Sequence, residues 1–424
     1  MTLHATATLY PESDYSGKKQ GLVIEAEPGD LAVTGFRDPA IAPWAAMDRS
    51  RGKLTPGVYG VLSGGIQEGP CLFLYDIDPT DLTKWSFIST LGFVPRHERP
   101  SKWTGDFGTN WECASIFTLS AQDESRDICM FGVEGGKPSA HAASHAVAHP
   151  DQPVRGTRSS PWMFVDVQNS DMTWQTAGAL DWAELYAITT FAHPDGRRIA
   201  WGWIVEGDLS PELAEEKGWM CCLGIPRELS LAVYDNVTGT SGTTLADVGS
   251  FDMAGQRVVT LGISPLAELS QLRGAERRLD IDQMLDAPEC YEIHLRASMT
   301  AESTLTLFLR HTSDYSISST VSFSPASEEI VVARGNSTRS GDICTQDEVA
   351  PFTLLHYADH VEEVEWRVFV DKDVLEVFCN GRVAFATRLY SPKEANLVSI
   401  KVEGGAQVIS GTLWEMSSIG LVVA

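Results

Sequence analysis

The chain has 424 residues, of which 43% are hydrophobic and 21% charged, a composition typical of soluble globular proteins. Its 57 acidic and 32 basic side chains give a formal net charge of −25. A surface with that charge repels nucleic-acid phosphates and anionic lipid, so we expect neither a nucleic acid nor a membrane as partner.

Residues 1–6 lack the basic and apolar regions of a signal peptide, so the sequence as given is expected to be cytoplasmic. From residue 57 onward, short apolar runs alternate with clusters of Gly, Pro, Asp and Asn, a pattern that predicts strands. The clearest runs are 57–62, 71–75, 128–133 and 198–204. Many short strands separated by turn residues favour a sandwich, a barrel or a propeller, so the fold class is predicted as all-β.

The segment 139–153 is rich in Ala, His and Pro and is interpreted as a surface loop. His141, His145 and His149 recur there at a spacing of four, and a metal site on a helix is the less favoured interpretation. The eight cysteines form no Cys-x-x-Cys pair, which argues against zinc and against a dense disulfide framework. We therefore predict no metal and no cofactor.

A second β domain is predicted after a break in the pattern. Residues 266–273 follow a proline and predict one or two helical turns, and a charged stretch comes next. We interpret 266–284 as a linker between domains at 1–265 and 285–424. Near the end of the chain, Asn380-Gly381 predicts a type I′ hairpin turn. The resulting β-meander is typical of an antiparallel sandwich.

Two acidic motifs lie far apart in the chain: Phe36-Arg37-Asp38-Pro39 and Asn110-Trp111-Glu112-Cys113. Taken alone, the first fits a turn with a local ion pair and the second a strand at the edge of a core. Two carboxylates from distant parts of a chain are also the minimum that cleavage of a glycosidic bond requires.

These motifs occur in a fixed order with three others, at 197–203, 225–229 and 375–381. Together they resemble glycoside hydrolase family 32, which includes invertases, inulinases and fungal fructosyltransferases. The segments 105–110 and 179–187 resemble the fungal branch. The resemblance extends from about residue 20 to the C-terminus, and it implies a five-bladed β-propeller followed by a β-sandwich.

The resemblance also implies a function and roles for residues. Family members act on β-fructofuranosyl bonds of sucrose or fructans with retention, by hydrolysis or by transfer. Glu112 maps onto the acid/base, and Asp38 maps onto the aspartate that holds sugar hydroxyls and stabilises the transition state. Arg37 is expected to orient Asp38. Substrate contacts are predicted for Arg37, Trp111, Asp106 and Asp181.

The nucleophile of the family lies in an Asn-Asp-Pro or Gly-Asp-Pro motif, and this chain has no such motif upstream of Asp38. Most of the first blade is therefore expected to be missing. Three interpretations remain open: a truncated sequence of a secreted enzyme, a degenerate homologue that binds sugar, or a nucleophile supplied by another acid. The upstream acids lack the context of the family motif, and they are Glu12, Asp14, Glu25, Glu27 and Asp30.

Overall fold

The structure is a computed structural model that describes residues 21–417. Its first two sheets are antiparallel and have four strands each, in sequential order. The first sheet contains β1 (Val33–Ala42), β2 (Val58–Ile66), β3 (Gly69–Ile77) and β4 (Trp85–Leu91). The second contains β5 (Asn110–Ala121), β6 (Glu124–Glu134), β7 (Ser160–Gln168) and β8 (Asp171–Asp181). The continuous apolar runs predicted at 71–75 and 128–133 lie in β3 and β6, because these central strands are buried on both faces.

A third antiparallel sheet follows, in which four long strands form a meander with two short strands at its sides. The strands of this region are β9 (Leu185–Ala192), β10 (Arg198–Ile204), β11 (Cys222–Leu223), β12 (Arg227–Tyr234), β13 (Gly239–Thr240), β14 (Ser250–Asp252) and β15 (Arg257–Pro265). Within the described residues, the chain up to 265 thus forms three sheets of the kind that makes a propeller blade. The β13 strand lies outside them and pairs with a later strand.

The C-terminal region consists of two six-stranded antiparallel sheets that face each other. Its strands are β16 (Arg273–Arg278), β17 (Leu285–Asp286), β18 (Cys290–Ser298), β19 (Thr304–His311), β20 (Ser318–Ser324), β21 (Glu329–Asn336), β22 (Glu348–Pro351), β23 (Leu355–His356), β24 (Val364–Asp371), β25 (Val374–Cys379), β26 (Val383–Arg388), β27 (Leu397–Glu403) and β28 (Gln407–Met416). One sheet has the order β16-β28-β18-β24-β25-β26, and the other has the order β17-β27-β19-β20-β21-β22. Alternating apolar residues of both sheets form one core around the fully buried Trp366.

The predicted hairpin is confirmed in this sandwich. Asn380 and Gly381 have φ angles of 47° and 61°, and the N–H of Arg382 donates to the carbonyl of Cys379. Both positive angles match the type I′ turn that the dipeptide favours, because Asn and Gly tolerate left-handed backbone. The turn joins β25 to β26, which contacts the third sheet of the N-terminal region.

Helices are few and short, and they lie between strands. They are α1 (Ala45–Ser50), α2 (Ala140–Ala148), α3 (Pro211–Lys217), α4 (Leu245–Val248) and a 3₁₀-helix (Ala267–Leu272). The 3₁₀-helix confirms the turns predicted after Pro265. No helix in the part that the structure describes is long and apolar enough to cross a membrane.

The prediction of a loop at 139–153 is wrong for residues 140–148, which form α2. The Ser139 hydroxyl accepts from the N–H of Ala142 and caps the helix, and the alanines that follow have the highest helix propensity. The predicted linker 266–284 also contains regular structure. The strand β16 lies within it and pairs with β28, so this part of the segment belongs to a sandwich sheet.

Candidate active site

The first acidic motif lies in the middle of β1, where the pairing with β2 is interrupted. Arg37 pairs with Ser63, and regular pairing resumes only at Ala40. Asp38 lies in this bulge with a φ of 53°. A non-glycine residue in the left-handed region costs about 1–3 kcal/mol, and such strain is typical of functional positions.

The second acidic motif lies at a matching interruption in β5. Glu112 pairs with Gly132, and pairing resumes at Ser115, so the bulge contains Cys113, whose φ is 49°. The N–H of Cys113 donates to Oδ2 of Asp38 at 3.0 Å. The two bulges are therefore joined directly, and they bring the two acidic motifs together across 74 residues of sequence.

The bulge in β5 also depends on one buried hydroxyl in β2. Ser63 is fully buried, and its Oγ accepts the N–H of Ala114 at 2.8 Å. This hydrogen bond satisfies a backbone donor that the bulge in β5 removes from the strand ladder. The thiol of Cys113 stays protonated at neutral pH, because burial, together with the charge of Asp38, raises its pKa to about 12.

Both carboxylate oxygens of Glu112 are engaged. Arg37 Nη1 lies 2.7 Å from Oε1, and the hydroxyl of Tyr186 donates to Oε2. Tyr186 belongs to β9, so all three N-terminal sheets contribute to the site. Burial and the hydrogen bond to Glu112 raise the pKa of Tyr186, which keeps its hydroxyl protonated as a donor.

Arg37 does not orient Asp38, so that expectation is wrong. Its guanidinium contacts Glu112 and, through Nη2 at 3.1 Å, Glu134. Among the described residues it forms no ion pair with Asp38, whose Oδ2 is held by the N–H of Cys113 instead. The bulge at Asp38 interrupts the regular alternation of β1, so Asp38 contacts Cys113 while Arg37 contacts Glu112.

Glu134 and Tyr186 are site residues that the sequence did not indicate. Glu134 pairs with Asn110 across the ladder of β5 and β6, and the Asn110 amide donates to it at 3.1 Å. This register makes Glu134 a diagonal neighbour of Glu112 on the same face of the sheet. Glu134 lies in none of the motifs, and Tyr186 lies in the family-like segment 179–187 without a predicted role, so their contacts with the site become visible only once strand pairing is known.

Gly132 makes the contact between Tyr186 and Glu112 possible. It lies opposite Glu112, and a Cβ at this position would come within 3.1 Å of Cε2 and Cζ of the Tyr186 ring. A glycine in a strand interior often marks a place where another group approaches the backbone closely. Here the approaching group is the phenol ring.

The expectation that Trp111 contacts substrate is wrong. Its side chain is 0% exposed, it stacks on Phe131 with ring centroids 4.1 Å apart, and its indole N–H donates to the carbonyl of Phe107. Because side chains alternate along β5, Trp111 projects to the face opposite Glu112, into the core between the first two sheets.

Asp106 and Asp181 lie apart from the acidic pair. Asp106 accepts the N–H of Gly108 at 2.8 Å and lies 3.6 Å from Arg99. Asp181 is buried and pairs with Arg227 at 2.7 Å, and burial raises its pKa. Neither carboxylate contacts Asp38 or Glu112, and the contacts of Asp181 are those of a buried structural ion pair.

The upstream acids do not approach the pair where the structure describes them. Glu25, Glu27 and Asp30 are exposed, and none makes a hydrogen bond or ion pair with a residue of the site. Glu12 and Asp14 lie outside the described residues. Within the range 21–417, no group of three His, Cys, Asp or Glu side chains is arranged to hold a metal ion.

Two family descriptions match nearly the whole chain. Residues 5–241 match the glycosyl hydrolases family 32 N-terminal domain, and residues 268–415 match the glycosyl hydrolases family 32 C terminal. The chain belongs to glycosyl hydrolase family 32. This membership accounts for the order of the acidic motifs and for the sandwich that follows the sheets carrying them.

Curated relatives within family 32 are distant. A probable sucrose-6-phosphate hydrolase of Psychromonas ingrahamii is 26% identical over 77% of this chain and 49% of the relative. An acid beta-fructofuranosidase of Capsicum annuum is 24% identical over 95% of this chain and 62% of the relative. The chain thus spans about half to three fifths of the length of these relatives.

Solved structures share the fold of this family 32 chain. A beta-fructofuranosidase of Aspergillus kawachii superposes with a TM-score of 0.78 at 23% identity, over 96% of this chain and 75% of that one. A fructosyltransferase of A. japonicus has a TM-score of 0.78 at 19% identity, covering 95% and 76%. The likeness confirms the predicted class, a propeller followed by a sandwich, of which the described residues form three blade-like sheets.

Proposed function

We propose that this chain acts on β-fructofuranosyl bonds of sucrose or fructans, by hydrolysis or by transfer, with Glu112 as acid/base and Asp38 as stabiliser. The observation that carries the proposal is the junction of the two strand bulges. Cys113, next to Glu112, holds Asp38 through its N–H, and this contact supports the assignment of one carboxylate from each acidic motif to a single site.

The contacts of Glu112 suit a proton donor. Its side chain is 22% exposed, so a glycosidic oxygen can reach it, while Arg37 and Tyr186 fix its orientation. In the reaction the carboxyl proton passes to the leaving oxygen as the bond from that oxygen to the anomeric carbon breaks. The positive charge that develops on the fructosyl ring is stabilised by an ionised carboxylate nearby, the role proposed for Asp38.

A retaining reaction also needs a nucleophile, and we assign that role to none of the described carboxylates. Glu134 approaches Glu112 through Arg37, but its contacts with Arg37 and Asn110 are those of a residue that positions the site. The similar proteins include a probable sucrose-6-phosphate hydrolase, an acid beta-fructofuranosidase and a fructosyltransferase. These relatives support cleavage of a fructosyl bond. The proposal therefore includes both hydrolysis, in which water accepts the fructosyl group, and transfer, in which a sugar accepts it.

The alternative function is a sugar-binding homologue without catalysis. The observation that favours it is the exposed position of Glu25, Glu27 and Asp30, away from the acidic pair. Calorimetric binding of sucrose and of inulin oligosaccharides, measured beside fructose release, separates the two functions. Binding without release supports the alternative, and release supports the enzyme.

Replacement of Glu112 tests the assignment. In Glu112→Gln the amide cannot donate a carboxyl proton, so we expect fructose release from sucrose to fall at least ~100-fold. The far-ultraviolet circular dichroism and the unfolding temperature should stay close to wild type. Glu403→Gln, an exposed change at the end of β27, is the matched control and should keep full activity. Wild-type release by Glu112→Gln would overturn the assignment.

A further inference from the structure

A cavity of about 960 Å³ lies where the N-terminal sheets meet the sandwich. Its walls are α2, the segments 99–106 and 152–159, and the sandwich segment 344–351. The volume is at the upper end of the roughly 300–1,000 Å³ typical of small-molecule sites. Asp38, Glu112 and Arg37 do not line this junction cavity, which adjoins the candidate active site where Arg158 lies over the ring of Tyr186.

The carboxylates of the junction cavity are largely neutralised. Four of the five lie within 4 Å of an arginine, and these four are Asp106, Asp181, Glu184 and Glu348. The remaining one, Glu329, is exposed. Arg227 and Arg334 supply part of this compensation from behind the wall, where they also pair with the buried acids Glu376 and Asp208.

Two cations of the lining are uncompensated. Lys137 and Arg158 are exposed, and neither has a carboxylate within 4 Å in the part of the chain that the structure describes. Arg158 lies over the Tyr186 ring, 5.2 Å from its centroid. Lys137 and Arg158 are therefore the basic groups of the lining that are available to pair with an anionic ligand.

Other groups of the lining suit hydroxyls and a sugar ring. His141 lies on α2, its Nδ1 lies 2.9 Å from the Ser139 hydroxyl, and burial lowers its pKa, so its imidazole is a neutral polar group of the lining at neutral pH. Trp182 is half-buried at the opposite wall and supplies a flat apolar surface. A polyhydroxylated ligand makes use of both features.

We propose that the junction cavity binds a sugar that carries a phosphate or carboxylate group, with Lys137 and Arg158 contacting the anion. This site goes beyond the proposed function, because it involves neither acid of the candidate active site. Phosphate and carboxylate share the same chemistry toward these cations, and both form charge-assisted hydrogen bonds with lysine and arginine.

Isothermal titration calorimetry with glucose 6-phosphate, glucuronate, glucose and inorganic phosphate tests the proposal. We expect at least one charged sugar to bind about tenfold or more tightly than glucose and than inorganic phosphate, with affinity falling as salt is added. Glucose 6-phosphate and glucuronate distinguish the two anions. Glu112→Gln should bind as wild type, so failure of the catalytic proposal does not affect this result.

Lys137→Gln should weaken binding of the charged sugar about tenfold, and the double variant with Arg158→Gln should weaken it further. Lys84→Gln is the matched control, because Lys84 is an exposed lysine beside β4 that pairs with Asp81. This variant should bind the charged sugar with wild-type affinity. The proposal is overturned if no charged sugar binds, if glucose or phosphate binds as tightly, or if the double variant keeps wild-type affinity.

Discussion

At the scale of single residues, the candidate site consists of side chains held by strained or unusually placed backbone. Asp38 and Cys113 both have positive φ angles and are joined by one N–H to carboxylate hydrogen bond. Glu112 depends on Arg37 and on Tyr186, which reaches it over the bare backbone of Gly132. Orientation of the acidic pair is therefore distributed over residues from three sheets.

Replacing Tyr186 by phenylalanine removes a single oxygen atom and tests whether the phenol orients Glu112. Tyr186→Phe removes the donor to Glu112, and a hydrogen bond to a charged group contributes about 1.5–3 kcal/mol. If that energy acts in the transition state, kcat/KM for sucrose should fall about tenfold to a hundredfold. Steady-state kinetics measures the effect, and Tyr357→Phe, a change at the half-buried tyrosine that follows β23, is the control. Unchanged kinetics would show that Arg37 alone positions Glu112.

At the scale of elements, the first strand of each N-terminal sheet carries a bulge. The bulges lie at Asp38 in β1 and at Cys113 in β5. In the third sheet, Ala187 in β9 has a φ of 47°, where the pairing with β10 shifts. A bulge redirects side chains and strengthens the local twist. The strand β5 contacts both β1 and β9, and Tyr186 of β9 donates to Glu112 of β5. The three bulges therefore converge on the candidate site.

Ser63 connects two of these bulges, and its replacement should affect both stability and activity. Ser63→Ala leaves the buried N–H of Ala114 without its acceptor, which costs about 1–3 kcal/mol of unfolding free energy. Because the bulge carries Cys113 and Glu112, we expect kcat to fall while KM changes little. Urea unfolding and sucrose kinetics measure the two effects. Ser120→Ala, an exposed change in the same strand β5, should alter neither. A loss of stability with full kcat would limit Ser63 to a structural role.

At the scale of the whole molecule, buried charges join the N-terminal sheets to the sandwich. Arg227 of β12 pairs with Asp181 at 2.7 Å and with Glu376 of β25 at 3.4 Å. Glu376 also accepts the N–H of Ile225. Asp181, which was predicted to contact substrate, therefore lies with Glu376 in one buried junction.

Glu376 should make stability depend on pH. Burial, opposed by Arg227, raises its pKa from 4.5 to about 7. The folded state therefore holds a proton that the unfolded state releases, so the stabilisation is complete below about pH 4.5 and is lost as the pH rises through 7. The shift corresponds to roughly 3 kcal/mol. The unfolding temperature should decrease from pH 5 to pH 8, and less so in Glu376→Gln. Glu403→Gln should follow the wild type, and an equal slope in Glu376→Gln would refute the assignment.

Patterns of local sequence predicted the strands well, because the alternation of apolar residues and the residues of turns act over a few neighbours. The hairpin at Asn380-Gly381 and the 3₁₀-helix after Pro265 are examples. The helix α2 was missed because an alanine-rich segment was interpreted by its prolines and histidines rather than by its Ser139 cap. Motif order identified the family and the acidic pair, whereas the partners of that pair were not accessible from local patterns.

The amino-acid sequence by itself determined the fold class, the family and the two acidic motifs that meet in the candidate site. Only the tertiary structure decided that Trp111 faces a core, that Arg37 serves Glu112 rather than Asp38, and that Tyr186 and Glu134 join the site. The physical reason is that a one-residue bulge reverses which face of a strand a side chain occupies, and the bulges here are held by hydrogen bonds between distant strands. The two motifs therefore become one site through contacts that neither motif contains.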